Sequence, residues 1–334
     1  MVKRSCQKVQ GSLFSKMKRE LNFGLNLRYR LYRLRWNLAP KLRYVTKFPT
    51  HIDFESTNNC NLRCVMCPRE FMKEKKGFMD LNLFKKVIDE GSRKGLKSIK
   101  LNWRGEPLIH KDIAEMVGYA KRSGIIEVMF NTNGLLLTED RARKLIDAGL
   151  DKIIFSIDGA TKKTYEKIRT GGNYDILIKN VMNLIKLRKE LKIRRPHIRV
   201  QMVRMKENAH ETDAFIDFWK PLVEYVGINN VVTWEKGEDR TINEYVAIGR
   251  QQCPQPWQRM MIDWDGEAIM CCGDWGKKNI IGDAKKQDVE DIWKSDLLNG
   301  YRKLLVDGKA NSIDACKNCP IPESIRWKKV KNRS

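Results

Sequence analysis

The chain has no run of eighteen or more apolar residues, and its charged N-terminus has no apolar stretch of the kind that opens a secretory signal. Neither a membrane span nor export is expected, which predicts a cytoplasmic protein. Histidine is scarce. His51, His110, His197 and His210 stand far apart and are read as structural or surface residues. No internal repeat or low-complexity segment appears, and a hydrophobic content of 42% is that of a globular protein. Acid is short too, with 41 Asp and Glu against 65 Lys and Arg, a net charge of +24. What the chain does have is cysteine: nine in spaced clusters. Without an export signal these point to a reducing compartment and to metal rather than disulfides.

The positive charge is uneven. Residues 1–48 carry thirteen Lys and Arg against one acid, Glu20, and no acid follows Glu323. In the arm, Arg28, Arg30, Arg33 and Arg35 alternate with Leu27, Tyr29, Leu31, Tyr32, Leu34 and Trp36. Such a segment can wrap the body of the protein with its arginines solvated. It can also lie on an anionic membrane surface at the inner face of the membrane, or grip the phosphates of a nucleic acid. Charge alone does not choose among these partners. Cys6 stands alone in the arm, with no role assigned.

From about residue 50 to 240 strand and helix patterns alternate. Strands are expected at 51–56, 98–102, 127–131, 152–157, 197–203 and 230–234. Helices are expected at 79–95, 110–123, 138–149 (capped by Thr138), 175–191 and 210–225. Six βα-type units argue for a parallel α/β sheet. The expected organisation is a basic arm (1–48), a barrel (49–240), a cysteine-bearing module (250–325) and a basic tail (326–334).

Three cysteines define the chemistry. Cys60-Asn61-Leu62-Arg63-Cys64-Val65-Met66-Cys67 has the spacing C-x3-C-x2-C. A cubane iron–sulfur cluster wants four thiolates, and a loop that offers three leaves one iron with an open position. A zinc knuckle is the weaker reading, because zinc closes with four ligands and no His or fourth Cys lies nearby. The motif resembles that of the radical S-adenosylmethionine (SAM) enzymes. The resemblance implies a [4Fe-4S] cluster whose open iron is chelated by SAM, and an electron that cleaves SAM to methionine and a 5′-deoxyadenosyl radical. It also implies an external electron donor such as flavodoxin or ferredoxin, and a partial (β/α)6 TIM-type barrel. Met66 stands where the family often has an aromatic against the adenine, and is soft enough to substitute.

Further segments fall at the strand ends, where such barrels do their chemistry. Arg104-Gly105-Glu106-Pro107 is similar to the family's Gly-Gly-Glu-Pro, which holds the SAM amino group, with Arg104 in place of the first Gly. Asn133 lies in a Thr-Asn-Gly turn, and Ser156-Ile157-Asp158 resembles the segment whose Ser and Asp reach the SAM ribose or carboxylate side. Arg169 matches a position where Arg pairs with the SAM carboxylate, for which a guanidinium fork is suited. Gln201 would border the adenine.

The C-terminal cysteines are Cys253, Cys271, Cys272, Cys316 and Cys319, with Ile262–Met270 reading as a β-hairpin around an Asp-Gly turn. This resembles the SPASM/twitch module, in its shorter form. The resemblance implies one auxiliary [4Fe-4S] cluster on Cys253, Cys271, Cys316 and Cys319, with Cys272 left over and its choice against Cys271 open. Four thiolates would close all four irons, which suits electron transfer. A zinc ribbon fits the same four cysteines.

Two function classes compete. One is a dehydrogenase- or epimerase-like radical SAM oxidoreductase for a small, carbohydrate- or cyclitol-like or glycan substrate, with the auxiliary cluster taking an electron. Glu235 and Lys236, just past the last strand, are its candidate bases. The other is a peptide- or RNA-modifying enzyme that docks through the basic arm.

Overall fold

The computed structural model describes residues 27–233, 239–242, 245–250, 252–317, 319 and 325–329. Cys6, with the rest of the first 26 residues, and both Glu235 and Lys236 lie outside the described residues.

The described residues open with helix α1 (Leu27–Lys41), then run β1 (His51–Phe54), β2 (Arg63–Cys64), α2 (Leu81–Lys94), β3 (Ser98–Lys100), α3 (Ile113–Arg122), β4 (Glu127–Thr132) and α4 (Glu139–Asp147). There follow β5 (Lys152–Ser156), α5 (Lys162–Ile168), β6 (Arg169–Thr170), α6 (Tyr174–Glu190), β7 (His197–Arg204), α7 (Thr212–Trp219) and β8 (Tyr225–Asn230). The last part holds β9 (Tyr245–Arg250), β10 (Arg259–Ile262), β11 (Glu267–Ile269), β12 (Ile280–Asp283), α8 (Val289–Lys294), α9 (Asp296–Val306), α10 (Asp314–Lys317) and β13 (Ile325–Lys329).

β1, β3, β4, β5, β7 and β8 form a parallel sheet in that order, with a helix between each successive pair in the chain. β10 adds parallel to the other side of β1, and β11 and β12 continue antiparallel, making nine strands in one sheet. The expected hairpin is present as β10–β11. It extends the barrel sheet, so the expected C-terminal module shares a continuous sheet with the barrel. Part of the expected basic tail also pairs, as β13 against β9.

Local chemistry sets the element ends. Asp80 caps α2 by accepting from the N–H groups of Asn82 and Leu83, and the helix stops at Gly95 with φ +113°. Thr138 caps α4 as the sequence indicates. β1 alternates: Ile52 and Phe54 pack under the helices, with Phe54 edge-on to Phe84 of α2 at 5.0 Å. Asp53 takes the opposite, inner face, where it meets Lys100 at 2.8 Å and Arg259 at 3.3 Å. Burial alone would raise its pKa, but these two cations hold it far below the ordinary carboxylate range.

Two expectations shift. The helix expected over 210–225 ends at Trp219, because Pro221 supplies no N–H to continue it. The last parallel strand is accordingly 225–230 rather than 230–234. The described part of the arm is folded onto the body. α1 lies across the N-terminal end of the strands: Trp36 stacks edge-on to His51 at 5.7 Å, and Gln258 Nε2 donates to Trp36 O at 2.8 Å. Tyr32 is buried there beside Ser98 and Glu127, and burial followed by the Glu127 charge pushes its phenol up to about 12.

Candidate cluster and cofactor site

Cys60, Cys64 and Cys67 sit on the loop that leaves β1 at the C-terminal end of the sheet, all partly exposed. The loop is pinned at several points. Thr57 and Asn58 bond to the chain at Gly77 and Lys75, and Arg69 Nη2 donates to Leu62 O at 2.6 Å. β2 and β6 form a two-residue ladder that sets Cys64 opposite Arg169. Burial raises each thiol, and the three raise one another, while Arg69 and Arg169 pull the other way. Three thiols under one another's field, faced by two guanidinium groups, fit a loop built to be held as thiolates on an iron–sulfur cluster.

Arg169 faces both the loop and the barrel. Its Nη1 lies 3.7 Å from Cys64 Sγ, while Nε and Nη2 bind Asp158 Oδ2 at 2.8 and 2.7 Å. Burial would lower its pKa, but Asp158 and the Cys64 thiol outweigh that and hold it above the ordinary value. Asp158 has no exposed surface, and its Oδ1 accepts from Val203 N–H at 2.7 Å. Its carboxylate therefore aims Arg169.

Gly105 makes the close approach that the turn after β3 requires. It has φ +71°, and a Cβ there would lie 2.3 Å from Thr57 O and 2.6 Å from Asn59 O. Next to it, Glu106 N–H donates to Asn59 O at 2.7 Å. The Glu106 carboxylate is buried and well bonded: Oε1 accepts from Thr132 Oγ1 (2.6 Å) and Leu108 N–H (3.1 Å), and Oε2 from Asn133 N–H (2.7 Å). A carboxylate has about four acceptor sites, so one remains on Oε2. Burial raises this carboxyl despite those donors. Pro107 opens a short buried turn behind it, and Asn133 Nδ2 donates to Asn61 Oδ1 of the cysteine loop at 2.8 Å. Ser156 and Gln201 are half-buried and in register at the ends of β5 and β7. Met66 and Val203 pack against Ile168, Met205 and Val231, an apolar nook beside the loop.

Arg104, the departure from the family pattern, does not loosen the turn. Its side chain is fully buried and stacks over Trp103 at 4.2 Å. Nε and Nη2 bind Glu55 at 2.5 and 2.8 Å, and its outer nitrogens reach Glu74 and, at 3.3 Å, Trp275 O. Lys277 joins Glu74 (3.2 Å) to Asp263 (2.7 Å). Burial raises the Glu55 carboxyl, with Arg104 as the main opposing influence. The network ties the turn after β3 to the C-terminal part of the chain. Trp103 adds to this tie through its Nε1–H, which donates to Cys272 O at 3.0 Å.

The five C-terminal cysteines sort by direction. Cys271 and Cys316 are buried in the main core, whereas Cys272 packs on the other side with Trp103, Met261 and Ile269. Cys272 Sγ donates to Gln255 Oε1 at 3.2 Å and accepts from Arg259 Nη2 at 3.3 Å. Burial, then the fields of Cys316, Cys319 and Cys272, push the Cys253 thiol up to about 12. Cys271 is raised by burial and by all four neighbouring thiols. Among the described residues no three His, Cys, Asp or Glu converge on a single metal ion. Cysteines of a cluster each take a different iron.

Sequence reading missed Glu55, Glu74, Asn61, Asn102 and Lys277. Asn102 Oδ1 accepts from Asn131 N–H at 2.7 Å, joining the ends of β3 and β4. The only signal was Glu55 itself, an acid closing a strand otherwise built for burial, which demands a cation.

A parallel partial barrel with a three-cysteine loop at its mouth and a cysteine-rich extension defines a class of cluster-bearing enzymes. Residues 54–218 match the Radical SAM superfamily, and residues 253–320 match the SPASM iron–sulfur cluster-binding domain. The chain belongs to the radical SAM superfamily and carries a SPASM-type domain; its cofactors are accordingly a [4Fe-4S] cluster, SAM and auxiliary iron–sulfur binding.

It is 25% identical over 325 residues to the tungsten-containing aldehyde ferredoxin oxidoreductase cofactor-modifying protein of Pyrococcus furiosus, covering 84% of this chain and 90% of that protein. It is 26% identical over 274 residues to the S-adenosyl-L-methionine-dependent 2-deoxy-scyllo-inosamine dehydrogenase of Niallia circulans, covering 80% and 91%. BtrN in complex with AdoMet and 2-DOIA shares the fold with a TM-score of 0.55 at 20% identity, covering 83% of this chain and 95% of that one. SuiB of Streptococcus suis bound to S-adenosylmethionine does so with a TM-score of 0.65 at 16% identity, covering 79% and 70%. No described helix is long and apolar enough to cross a membrane.

Proposed function

We propose that this chain is a radical SAM oxidoreductase that removes hydrogen from a small carbohydrate- or cyclitol-like substrate and passes the remaining electron to one auxiliary cluster. The observation that carries this is the presence of two cysteine sets linked through one turn: Trp103 Nε1–H reaches the carbonyl of Cys272, next to Cys271, and Glu106 N–H on the same turn bonds Asn59 O beside Cys60. When bound, the cofactors supply a 5′-deoxyadenosyl radical and an electron acceptor.

In this reading Cys60, Cys64 and Cys67 hold the first cluster, and Arg169, aimed by Asp158, pairs with the SAM carboxylate. The free lone pair of Glu106 would receive the SAM amino group, with Gly105 and Pro107 fixing the turn and Asn133 tying it to the cysteine loop. Met66, Gln201 and the nook around Val203 would border the adenine, and Ser156 would reach the ribose or carboxylate side. Cys253, Cys271, Cys316 and Cys319 hold the second cluster. Cys271 is preferred over Cys272 because only its side chain shares the core with Cys316. Glu235 and Lys236 remain proposed bases. An external reductant such as flavodoxin or ferredoxin supplies the electron.

The relative that is a 2-deoxy-scyllo-inosamine dehydrogenase, covered over most of its length, supports the cyclitol-like substrate class. A peptide- or RNA-modifying role would dock substrate on the basic arm, yet α1 lies at the strand end opposite the cysteine loop. The test is anaerobic reconstitution with a panel of cyclitols, aminocyclitols and sugar nucleotides. A member that accelerates 5′-deoxyadenosine release and appears as its ketone supports the reading. Acceleration by peptide or RNA alone contradicts it.

A further inference from the structure

α1 has two apolar faces. Tyr29, Tyr32 and Trp36 lie against the N-terminal end of the barrel. At 3.6 residues per turn, Leu27, Leu31, Leu34 and Leu38 fall on the opposite line. They are 66, 52, 53 and 39% exposed, a row that faces water. Past the helix end Leu42 (70%) and Tyr44 (62%) extend the row, and with Leu34 and Leu38 they border a shallow, almost wholly apolar groove of about 190 Å³.

The charged residues on α1 and in the segment that follows it are all of one sign. Arg30 and Lys41 flank it on one side and Arg35 on the other, all exposed, with Arg43 and Lys47 beyond the helix. No Asp or Glu occurs between Glu20 and Asp53. A second copy of this face would bring cation against cation. An apolar stripe bordered on both sides by cations complements a surface that is apolar within and anionic above.

We propose that this face docks on an anionic lipid bilayer. α1 lies in the plane of the interface, its leucines at the level of the upper acyl chains and its arginines and lysines among the lipid phosphates. Because α1 covers the N-terminal ends of the strands, docking leaves the cysteine loop, at their C-terminal ends, on the water side. SAM cleavage then goes on unhindered while the enzyme is bound. The inference stands independently of the substrate class proposed above.

The test is cosedimentation of the full, anaerobically reconstituted chain with vesicles of phosphatidylcholine, alone or with about 30% phosphatidylglycerol. The expected result is at least about tenfold stronger binding with the anionic lipid, falling as salt rises. Leu31→Glu/Leu34→Glu and, separately, Arg30→Glu/Arg35→Glu are each expected to weaken binding about tenfold or more, with SAM cleavage unchanged. Equal binding to both vesicle types, or wild-type binding by the leucine variant, overturns the proposal. So does a wild-type dimer without vesicle affinity that the leucine variant turns into monomer, which assigns the face to a second copy. Binding that arises only when residues 1–26 are removed also overturns it, by assigning the face to the chain's own N-terminus.

Discussion

Arg104 stands where the family pattern has glycine, and replacing it with methionine tests what it does there. Its side chain and that of Glu55 have no exposed surface, and two nitrogens meet the carboxylate at 2.5 and 2.8 Å. Removing one member of such a pair leaves the other as an uncompensated buried charge, at a cost of roughly 3–5 kcal/mol. Burial already raises Glu55, and Arg104 is its main counterweight. Without Arg104 the folded state therefore favours the protonated acid. A carboxyl whose folded pKa exceeds its unfolded value makes the fold bind more protons, so stability falls as pH rises. The deficit of Arg104→Met should therefore be larger at alkaline pH and shrink on acidification, as Glu55 takes up its proton.

The assay is anaerobic urea unfolding of the reconstituted protein followed by tryptophan fluorescence, comparing midpoints at constant slope. Glu55→Gln/Arg104→Met removes both charges and should recover about 2 kcal/mol of the single-variant loss. A single-variant cost below about 1 kcal/mol, or a deficit that grows on acidification, refutes the reasoning.

Arg169→Ala should weaken SAM binding by roughly 1.5–3 kcal/mol, about ten- to a hundredfold, measured by equilibrium binding to the reconstituted protein. Asp158→Asn should reproduce part of that loss without touching SAM itself, because it frees the guanidinium; unchanged affinity removes Asp158 from the site. Asp53, held low by Lys100 and Arg259, contributes stability that is present above its unfolded value near 3.9 and is lost as pH falls below it. The stability difference between wild type and Asp53→Asn should thus narrow between about pH 5 and pH 3 in urea titrations.

Much of this structure is legible in the sequence because its signals are local. The strand pattern at 51–56, the Thr138 cap and the Asp265-Gly266 turn each depend on neighbours a few residues away, and each is found within a residue or two of its expected place. Arg104 shows the limit: its partner Glu55 lies 49 residues back in sequence, so the sequence records only a departure from glycine. Wrapping of the body, one reading the arm's sequence offers, is what its described part does, but tyrosines and tryptophan on one face and leucines on the other leave no single polar side to mark α1 as a surface helix. Cys271 and Cys272 are adjacent in sequence, and only the sheet geometry turns one into the core and the other toward Arg259. The strand expected at 230–234 shifted forward because Pro221 shortened the preceding helix.

The account's central claim is a division of labour between two cysteine sets, and one comparison tests it most directly. Iron content and 5′-deoxyadenosine release are measured on anaerobically reconstituted wild type, a Cys60/Cys64/Cys67 triple alanine variant and Cys316→Ala. Wild type should hold about eight iron per chain in two cubane clusters. The triple variant should hold about four and release no 5′-deoxyadenosine. Cys316→Ala should still cleave SAM while losing turnover of the true substrate. Stoichiometric zinc in place of iron, or loss of SAM cleavage in a folded Cys316→Ala protein whose first cluster is intact, would contradict it.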